Sequence, residues 1–527
     1  MDQESQNWNW ESDGEQPTKA LYVLDKKDTA FAVCAVAVSI FGAVFGICGG
    51  FALGYCLSTV FMVVLFVAYF AKGKKLRVWS VLCGLLSLAN SAVFVCTSNG
   101  SVRFFGVIIS FLLALICFEG LVSGGTKGNR QTLGVFYSAL STMGNIGVSV
   151  RSLFSNENGE KKTLSKVLVG VLCAVPVLLI VVPLLLSSDE AFNGMMNKLF
   201  ENTGETFFKV LLGLLLSLFV IAYGFSVKAD SVGKIKPGKA KGVENVYLIS
   251  FLSAISLCYV LYLFSQLAYF FSAFRGFLPD GEITYAQYAR KGFFEMCAIA
   301  MINLGLVFLT MMIAKKENGK VCPGIRAAAT FIAVFTLLII ATAISKMVLY
   351  IDAYGMTVLR LTTSAFMVFL AILFVSVILR IYITKINIVK TGLVAAGCIV
   401  LILGTANVNR VCAAYNYESY KSGKLSTIDI HAMYNLGYEG IPYIVELASD
   451  ENEQTATTAK RYLLMNVYRG EYEEYFETLP MELPVKFASE DLRKYEKHTG
   501  FSYFSIPRAK AYASLYEFLD ANPGFVK

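Results

Sequence analysis

The side chains of this sequence that are able to bind a ligand or to pair with one another lie near the ends of long apolar segments. They are Asp189, Gln266, Tyr285, Arg290, Glu295, Lys346, Asp352, Tyr354, Arg360, Asn409 and Asn416. Charged groups at the edge of apolar surroundings are costly unless they pair or face water. The cluster therefore predicts one of two arrangements, a structural clamp that joins segment ends or a pocket for a ligand.

Asp352 has opposite charges on both sides in the sequence, Lys346 before it and Arg360 after it. We expect these charges to pair, and to fix this loop against Arg290 and Glu295 at the start of another apolar segment. If such a pair is desolvated, removal of one partner strongly lowers stability, because it leaves the other charge buried and unpaired.

Glu119 is the acid that lies deepest within an apolar segment. An acid at such a depth is typical of a proton or cation site in a membrane protein. A side chain that reaches the interface, or accepts hydrogen bonds from a neighbouring helix, is the favoured explanation, and the ion site stays as the alternative.

Residue sets that are typical of enzymes are absent from the sequence. No Ser-His-Asp set stands out, there is no Cys-x-x-Cys pair, and the two histidines are His431 and His498. Two histidines are too few for a histidine cage around a metal. We expect no catalytic residues, no bound metal and no cofactor.

The apolar segments have the length of membrane spans. No charged side chain occurs from Ala30 to Ala71, and only Gly49-Gly50 breaks the run. A spanning helix needs about 20 apolar residues, so this run predicts two spans. The pattern continues to about residue 407, and the sequence predicts an all-α polytopic membrane protein. The eleven expected spans are 30–48, 51–71, 79–98, 103–123, 167–187, 207–227, 246–271, 293–314, 326–346, 362–383 and 391–407.

Lysine and arginine are concentrated in alternate loops, which predicts the orientation of the chain. Basic residues stay on the cytoplasmic side in short loops, so the N-terminus is expected inside and the C-terminus outside a cell membrane. The net charge of +8 then reflects topology and contact with membrane lipids, not nucleic-acid binding. Three parts follow: an acidic disordered cytoplasmic tail (1–29), a transmembrane helical domain (30–407) and a small helical extracytoplasmic domain (408–527).

Residues 131–150 carry no charge but contain many polar side chains. Leu133, Phe136, Leu140 and Met143 recur at steps of three and four residues, which is typical of one helix face. We interpret this stretch as an amphipathic helix that lies on the membrane, with a twelfth span as the alternative.

Short motifs in the later part of the chain carry a family resemblance. They are residues 186–192, 266–270, 284–295, 350–361, 407–416, 436–442 and 505–508. Together they resemble a bacterial multi-pass membrane family of unknown function, domain-of-unknown-function family 4173, and the related family 4153. The resemblance covers roughly residues 165–510, with Glu439-Gly440 where the motif usually has Asp-Ala. It implies a membrane protein of a Gram-positive bacterium and no known reaction.

Three classes of function remain. The first is a non-catalytic envelope sensor or scaffold, which meets partner proteins of the envelope through residues 408–527. The second is a transporter of a small solute or lipid. The third, and weakest, is a membrane transferase that acts outside, for which the short first outer loop at Gly49-Gly50 leaves little room.

Overall fold

A computed structural model describes residues 22–70, 78–122, 139–153, 181, 184, 204–229, 243–275, 293–317, 320–383, 386–467 and 503–522. The described residues form α-helices almost throughout. The helices of the membrane part are α1 Lys26–Phe41, α2 Leu53–Phe70, α3 Val78–Cys96, α4 Gly100–Val122, α5 Ile146–Leu153, α6 Gly204–Lys228, α7 Asn245–Arg275, α8 Phe293–Ile313, α9 Pro323–Tyr354, α10 Val358–Tyr382 and α11 Ile388–Ala406. The later helices are α12 Val408–Lys421, α13 Ile430–Tyr434, α14 Ile441–Leu447, α15 Glu453–Val467 and α16 Ile506–Ala521.

Ten helices in the described part of the chain are long and apolar enough to cross a bilayer. They are α1 to α11 without α5, and each coincides with one of the expected spans. The expected fifth span, 167–187, lies outside the described residues apart from positions 181 and 184. The prediction of an all-α polytopic membrane protein is confirmed.

The first two spans are joined at the predicted glycine pair. Helix α1 continues as a π-helical turn over Gly42–Ile47. Gly50 then takes a φ of 79° and Phe51 a φ of 49°, so the chain reverses through left-handed backbone. Glycine adopts left-handed backbone without steric cost, which explains why the helical structure is interrupted at Gly50.

The described chain divides into two compact units. The first comprises residues 22–44, 64–70, 139–153 and 204–229. Its core joins α1 to α2 and to α6. Phe31 of α1 stacks on Tyr69 of α2 at 4.0 Å between ring centroids, and a Cβ on Gly213 of α6 would lie 2.5 Å from the Ile40 Cα. Small residues allow spanning helices to approach this closely.

The stretch interpreted as a surface helix is described from residue 139 onward. It forms a short 3₁₀ turn, Thr142–Asn145, followed by α5. Its polar side chains face the protein, and Asn145 Nδ2 donates to Ser226 Oγ of α6 at 3.1 Å, whereas Leu140 and Met143 are exposed. No helix in the described part of this stretch has the length of a span.

The second unit comprises the described residues of 45–63, 78–122 and 243–522. Its core lies between α7, α8, α9 and α10. Tyr259 stacks on Phe335 at 4.1 Å, and Asn303 Nδ2 donates to Thr336 Oγ1 at 2.9 Å. Interhelical hydrogen bonds of this kind stabilise packed spans. Helix α11 packs against the α3–α4 hairpin.

Two strands of two residues each, β1 Lys316–Glu317 and β2 Lys320–Val321, form an antiparallel hairpin between α8 and α9. Helix α11 ends at Ala406, and Asn407, with a φ of 60°, turns the chain directly into α12. Helices α12 to α16 surround a small apolar core that contains Met433, Ile444 and Leu515. We call residues 408–467 and 503–521, which comprise these five helices and the described segments between them, the platform.

Candidate functional site at the platform end of the spans

The structure describes the predicted polar cluster only in part. Asp189, Tyr285 and Arg290 lie outside the described residues, and for Gln266 only the backbone within α7 is described. The described members are Glu295, Lys346, Asp352, Tyr354, Arg360, Asn409 and Asn416, all in the second unit. Most of them lie where spans contact the platform.

Asp352 binds the platform instead of its neighbours in sequence. Its Oδ1 accepts hydrogen bonds from Lys424 Nζ at 2.7 Å and from Tyr415 OH at 3.0 Å. The expected pair with Arg360 is therefore wrong. Both side chains of the ion pair are about half exposed, at 46% for Lys424 and 51% for Asp352. An exposed pair contributes little to stability.

Arg360 closes the turn between α9 and α10. Its Nη1 donates to the carbonyl oxygens of Tyr354, at 3.2 Å, and Gly355. Its guanidinium also lies over the Tyr350 ring, 4.0 Å from the centroid. The last carbonyls of a helix lack partners within the helix, so a nearby arginine binds them and leaves Asp352 free for the platform.

Asn416 of α12 holds the same turn from the platform side. Its Oδ1 accepts a hydrogen bond from Met356 N at 2.7 Å, and its Nδ2 donates to Met356 O at 2.8 Å. Gly355, at φ 77°, brings the turn close, and a Cβ there would lie 2.7 Å from Asn416 Oδ1. Both polar ends of the amide are thus bonded to one backbone unit.

Two further asparagines join the end of α11 to the loop between α3 and α4. Asn407 Nδ2 donates to Cys96 O at 2.9 Å. Asn409 Oδ1 accepts from Asn99 Nδ2 at 2.7 Å, and its own Nδ2 donates to Leu436 O at 2.9 Å. Both Asn407 and Asn409 are buried. The predicted residue Asn409 therefore connects three segments that are far apart in the sequence.

Glu439 is the acid at this end that was not among the predicted site residues, and the same holds for its partner Ser98. Its side chain is buried, and Oε1 accepts from Ser98 N at 2.9 Å while Oε2 accepts from Ser98 Oγ. The available signal was its place in the 436–442 motif. We call the hydrogen bonds of residues 96–99 with Asn407, Asn409 and Glu439 the latch.

Gly440 differs from the alanine that the resembling motif usually has. A Cβ at this position would lie 2.0 Å from the carbonyl oxygen of Met433. Backbone atoms cannot move aside as a flexible side chain can, so this chain needs glycine beside Glu439.

Arg103 stabilises the loop that carries Ser98. Its Nε donates to Thr97 O at 2.8 Å, Nη2 to Phe94 O at 3.1 Å and Nη1 to Gly50 O at 3.3 Å. A guanidinium with several fixed donors suits such a set of carbonyls. The loop is therefore held both from its own hairpin and from the platform.

The other predicted residues take different places. Glu295 is exposed at the start of α8, and within the described chain no hydrogen bond or ion pair joins it to Asp352 or Arg360. Lys346 is buried within α9, and Glu119 is buried near the end of α4. The expected brace between the loops of spans eight and ten also involves Arg290, which lies outside the described residues, so that part of it stays a prediction.

Two ion pairs set the electrostatics of the platform. The hydrogen bond to Asp352, followed by that to Tyr415, raises the pKa of Lys424 above its ordinary value. Burial alone would raise the pKa of Asp450. Hydrogen bonds from Lys421, the Asn452 backbone and Tyr420 outweigh burial, so the pKa of Asp450 is lowered. Lys421 Nζ and Asp450 Oδ2 are 2.6 Å apart.

A separate polar cluster lies in the first unit. Asp28, which is buried, accepts hydrogen bonds from Tyr69 OH at 2.6 Å and from Lys228 Nζ. Asp25 caps α1 and receives a longer bond from the same lysine, at 3.4 Å. This cluster ties the start of α1 to the ends of α2 and α6.

The described residues contain no group of three His, Cys, Asp or Glu side chains that could hold a metal ion. The described cysteines are free thiols, and Cys173 lies outside the described residues. What this end of the protein does chemically is to bind its own segments together through amides, a carboxylate and backbone groups.

Comparison with known proteins places the chain by family. Residues 56–447, well over half of the chain, match the family described as Domain of unknown function (DUF4153). The chain belongs to this family. No curated protein and no solved structure matches it.

The DUF4153 match confirms one of the two expected families and corrects the expected extent. It covers residues 56–447, where the motifs had indicated roughly 165–510. It thus begins earlier, within α2, and it leaves the expected motif at 505–508 outside. Membership of family 4173 stays a prediction. The DUF4153 region includes every described residue of the latch, from Cys96 to Glu439.

Proposed function

We propose that this DUF4153 protein is a non-catalytic scaffold or sensor of a bacterial cell envelope, which meets its partners through the platform on the outer side of the cell membrane. The observation that carries the proposal is the latch. It joins the segments that follow the last span to the loop between α3 and α4, by hydrogen bonds of the buried side chains of Asn407, Asn409 and Glu439.

A fixed joint of this kind supports either role. A scaffold needs a surface of constant shape. Glu439 and Asn409 hold the platform to the loop between α3 and α4, and Asn416 holds it to the turn between α9 and α10. A sensor needs a displacement at one site to reach another through packed, hydrogen-bonded elements. Partner binding to the platform would reach the spans through these same residues.

The polar groups themselves also favour this class. Both ends of the Asn409 and Asn416 amides, and both carboxylate oxygens of Glu439, bond to the chain itself. Polar residues arranged to bind a substrate would instead converge on a concave site. The clamp interpretation of the cluster is therefore preferred to the ligand pocket.

The proposal is tested by photocrosslinking in living cells. A benzophenone amino acid is placed at Ser426 and at Lys460, both exposed on the platform, and at Phe366 of α10 as a lipid-facing control. We expect one adduct of the same added mass from both platform positions and none from Phe366. No adduct from the platform, or adducts only from Phe366, would contradict the proposal.

Transport of a small solute or lipid is the second candidate. Lys346 and Glu119 are ionisable side chains buried within spanning helices, and such residues often mark ion or substrate paths. Uptake or efflux that depends on either side chain, measured in vesicles with Lys346→Met and Glu119→Gln, would favour this candidate over the scaffold.

A further inference from the structure

One short segment of the platform exposes apolar side chains. Tyr503, Phe504 and Ile506 are 37%, 46% and 42% exposed. Among the described residues from Val408 onward, the large exposed hydrophobic side chains are confined to this segment. The rest of the described platform directs its large apolar groups inward, so these three have a different environment.

Hydrogen bonds fix the segment at the end of a membrane span. Leu53 N donates to Phe504 O at 3.3 Å, and Leu53 is the first residue of α2. Tyr503 OH donates to Cys48 O at 3.1 Å, at the end of the preceding span. The segment thus lies at the depth where the spans begin, the boundary between hydrocarbon and lipid headgroups.

Exposed apolar surface continues from the segment onto the spans. A Cβ on Gly50 would lie 2.7 Å from the Tyr503 ring, and Arg103 donates to Gly50 O. Phe104 and Phe105, which follow Arg103 in α4, are 62% and 54% exposed. The turn at Gly50 therefore separates two exposed apolar surfaces. Phe104 and Phe105 of α4 lie on one side of it, and Tyr503 and Phe504 of the platform lie on the other.

Basic residues follow the apolar ones. Arg508 and Lys510 lie in the first turns of α16, and Lys510 is exposed. Aromatic side chains prefer the membrane interface, and nearby basic side chains bind phosphate groups of lipids. This order matches the membrane interface from the acyl boundary outward. The apolar side chains of Tyr503, Phe504 and Ile506 suit the boundary, and the basic Arg508 and Lys510 suit the headgroups beyond it.

We propose that residues 503–506 insert into the headgroup and acyl boundary of the membrane and anchor helix α16 to its surface. The lipid interface is the partner of this apolar surface. The anchor would hold the platform to the surface of the bilayer, in addition to the latch, which holds it to the spans. The inference does not rest on the proposed function, since a transporter would use the same anchor.

Quenching of a single tryptophan by brominated lipid tests the anchor. The full chain, with Trp8, Trp10 and Trp79 replaced by Phe, receives Phe504→Trp and is reconstituted into phosphatidylcholine and phosphatidylglycerol vesicles. The lipids carry bromine either near the headgroup or deep in the acyl chain. Glu517→Trp, at an exposed position near the far end of α16, is the matched control.

We expect shallow bromine to lower the emission of Phe504→Trp about twofold, deep bromine to lower it less, and Glu517→Trp to be unaffected. Ile506→Trp gives the same readout if Phe504→Trp does not fold. Quenching at positions 504 and 506 no stronger than at position 517 would overturn the proposal and assign this surface to water or to a protein partner. Stronger quenching by deep bromine would overturn it as well.

Discussion

Asn416 binds the backbone of Met356 as a neighbouring strand would, accepting from its N–H at 2.7 Å and donating to its carbonyl at 2.8 Å. The two residues belong to α12 and to the turn between α9 and α10. This amide therefore fixes α12 against the turn that joins two spans, and a mutation that removes either of its two bonds should weaken that contact.

Asn416→Asp keeps the acceptor and loses the donor, and it places a carboxylate against the Met356 carbonyl. An unsatisfied group at a half-buried site costs about 1–3 kcal/mol, so we expect a lower melting temperature in detergent. Gln454→Glu makes the same chemical change at an exposed position of α15 and should leave the melting temperature nearly unchanged. Equal melting temperatures for both variants would contradict the role of Asn416.

Asp352→Ala should have little effect on stability. Asp352 and Lys424 are both about half exposed, and exposed ion pairs contribute about 0–1 kcal/mol. The large loss expected for a desolvated pair with Arg360 does not apply to this geometry. A double-mutant cycle of Asp352→Ala with Lys424→Met measures the pair directly, and a coupling above about 3 kcal/mol would show that the pair is buried instead.

Glu439→Ala should weaken the latch strongly. The buried carboxylate accepts from both the amide and the hydroxyl of Ser98, and bonds to charged groups contribute about 1.5–3 kcal/mol. We expect a lower melting temperature and faster hydrogen exchange at residues 97–99. Glu517→Ala, at an exposed site of α16, is the control. Unchanged exchange at Ser98 in Glu439→Ala would contradict this role.

The pair of Asp450 and Lys421 predicts a pH dependence. The folded state lowers the pKa of Asp450 below its ordinary 3.8, so its contribution is present above 3.8 and is lost as the pH falls through the lower folded value. We therefore expect acid to destabilise the parent more than Asp450→Asn, measured by melting between neutral pH and pH 3. If the melting temperatures of the two proteins fall in parallel with pH, Asp450 does not contribute to the pH dependence of stability.

The spans were predictable because each is a local property of the sequence. An uncharged run such as Ala30 to Ala71 is too long for one span, and the pair Gly49-Gly50 near its middle indicates where the chain reverses. The same reasoning located the turn at Asn407, where the apolar pattern stops.

The partners of the polar residues were not predictable in the same way. Proximity in sequence suggested Arg360 for Asp352, whereas folding brings Lys424 to it and leaves Arg360 to the helix carbonyls. Asn99 and Asn409 meet across 310 residues, and no local pattern encodes such a contact. Glu439 was overlooked because a single acid in a polar segment resembles a solvated residue until its burial is known.

The central claim, that the platform lies outside the cell and the N-terminus inside, is tested most directly by fusion reporters. Alkaline phosphatase, which is active only outside, is fused after Lys527 and, in a separate chain, after Gly238 in the lysine-rich loop. Because basic loops stay on the cytoplasmic side, we expect high phosphatase activity for the Lys527 fusion and background activity for the Gly238 fusion. High activity at Gly238 with none at Lys527 would contradict the orientation and, with it, the proposed outer platform.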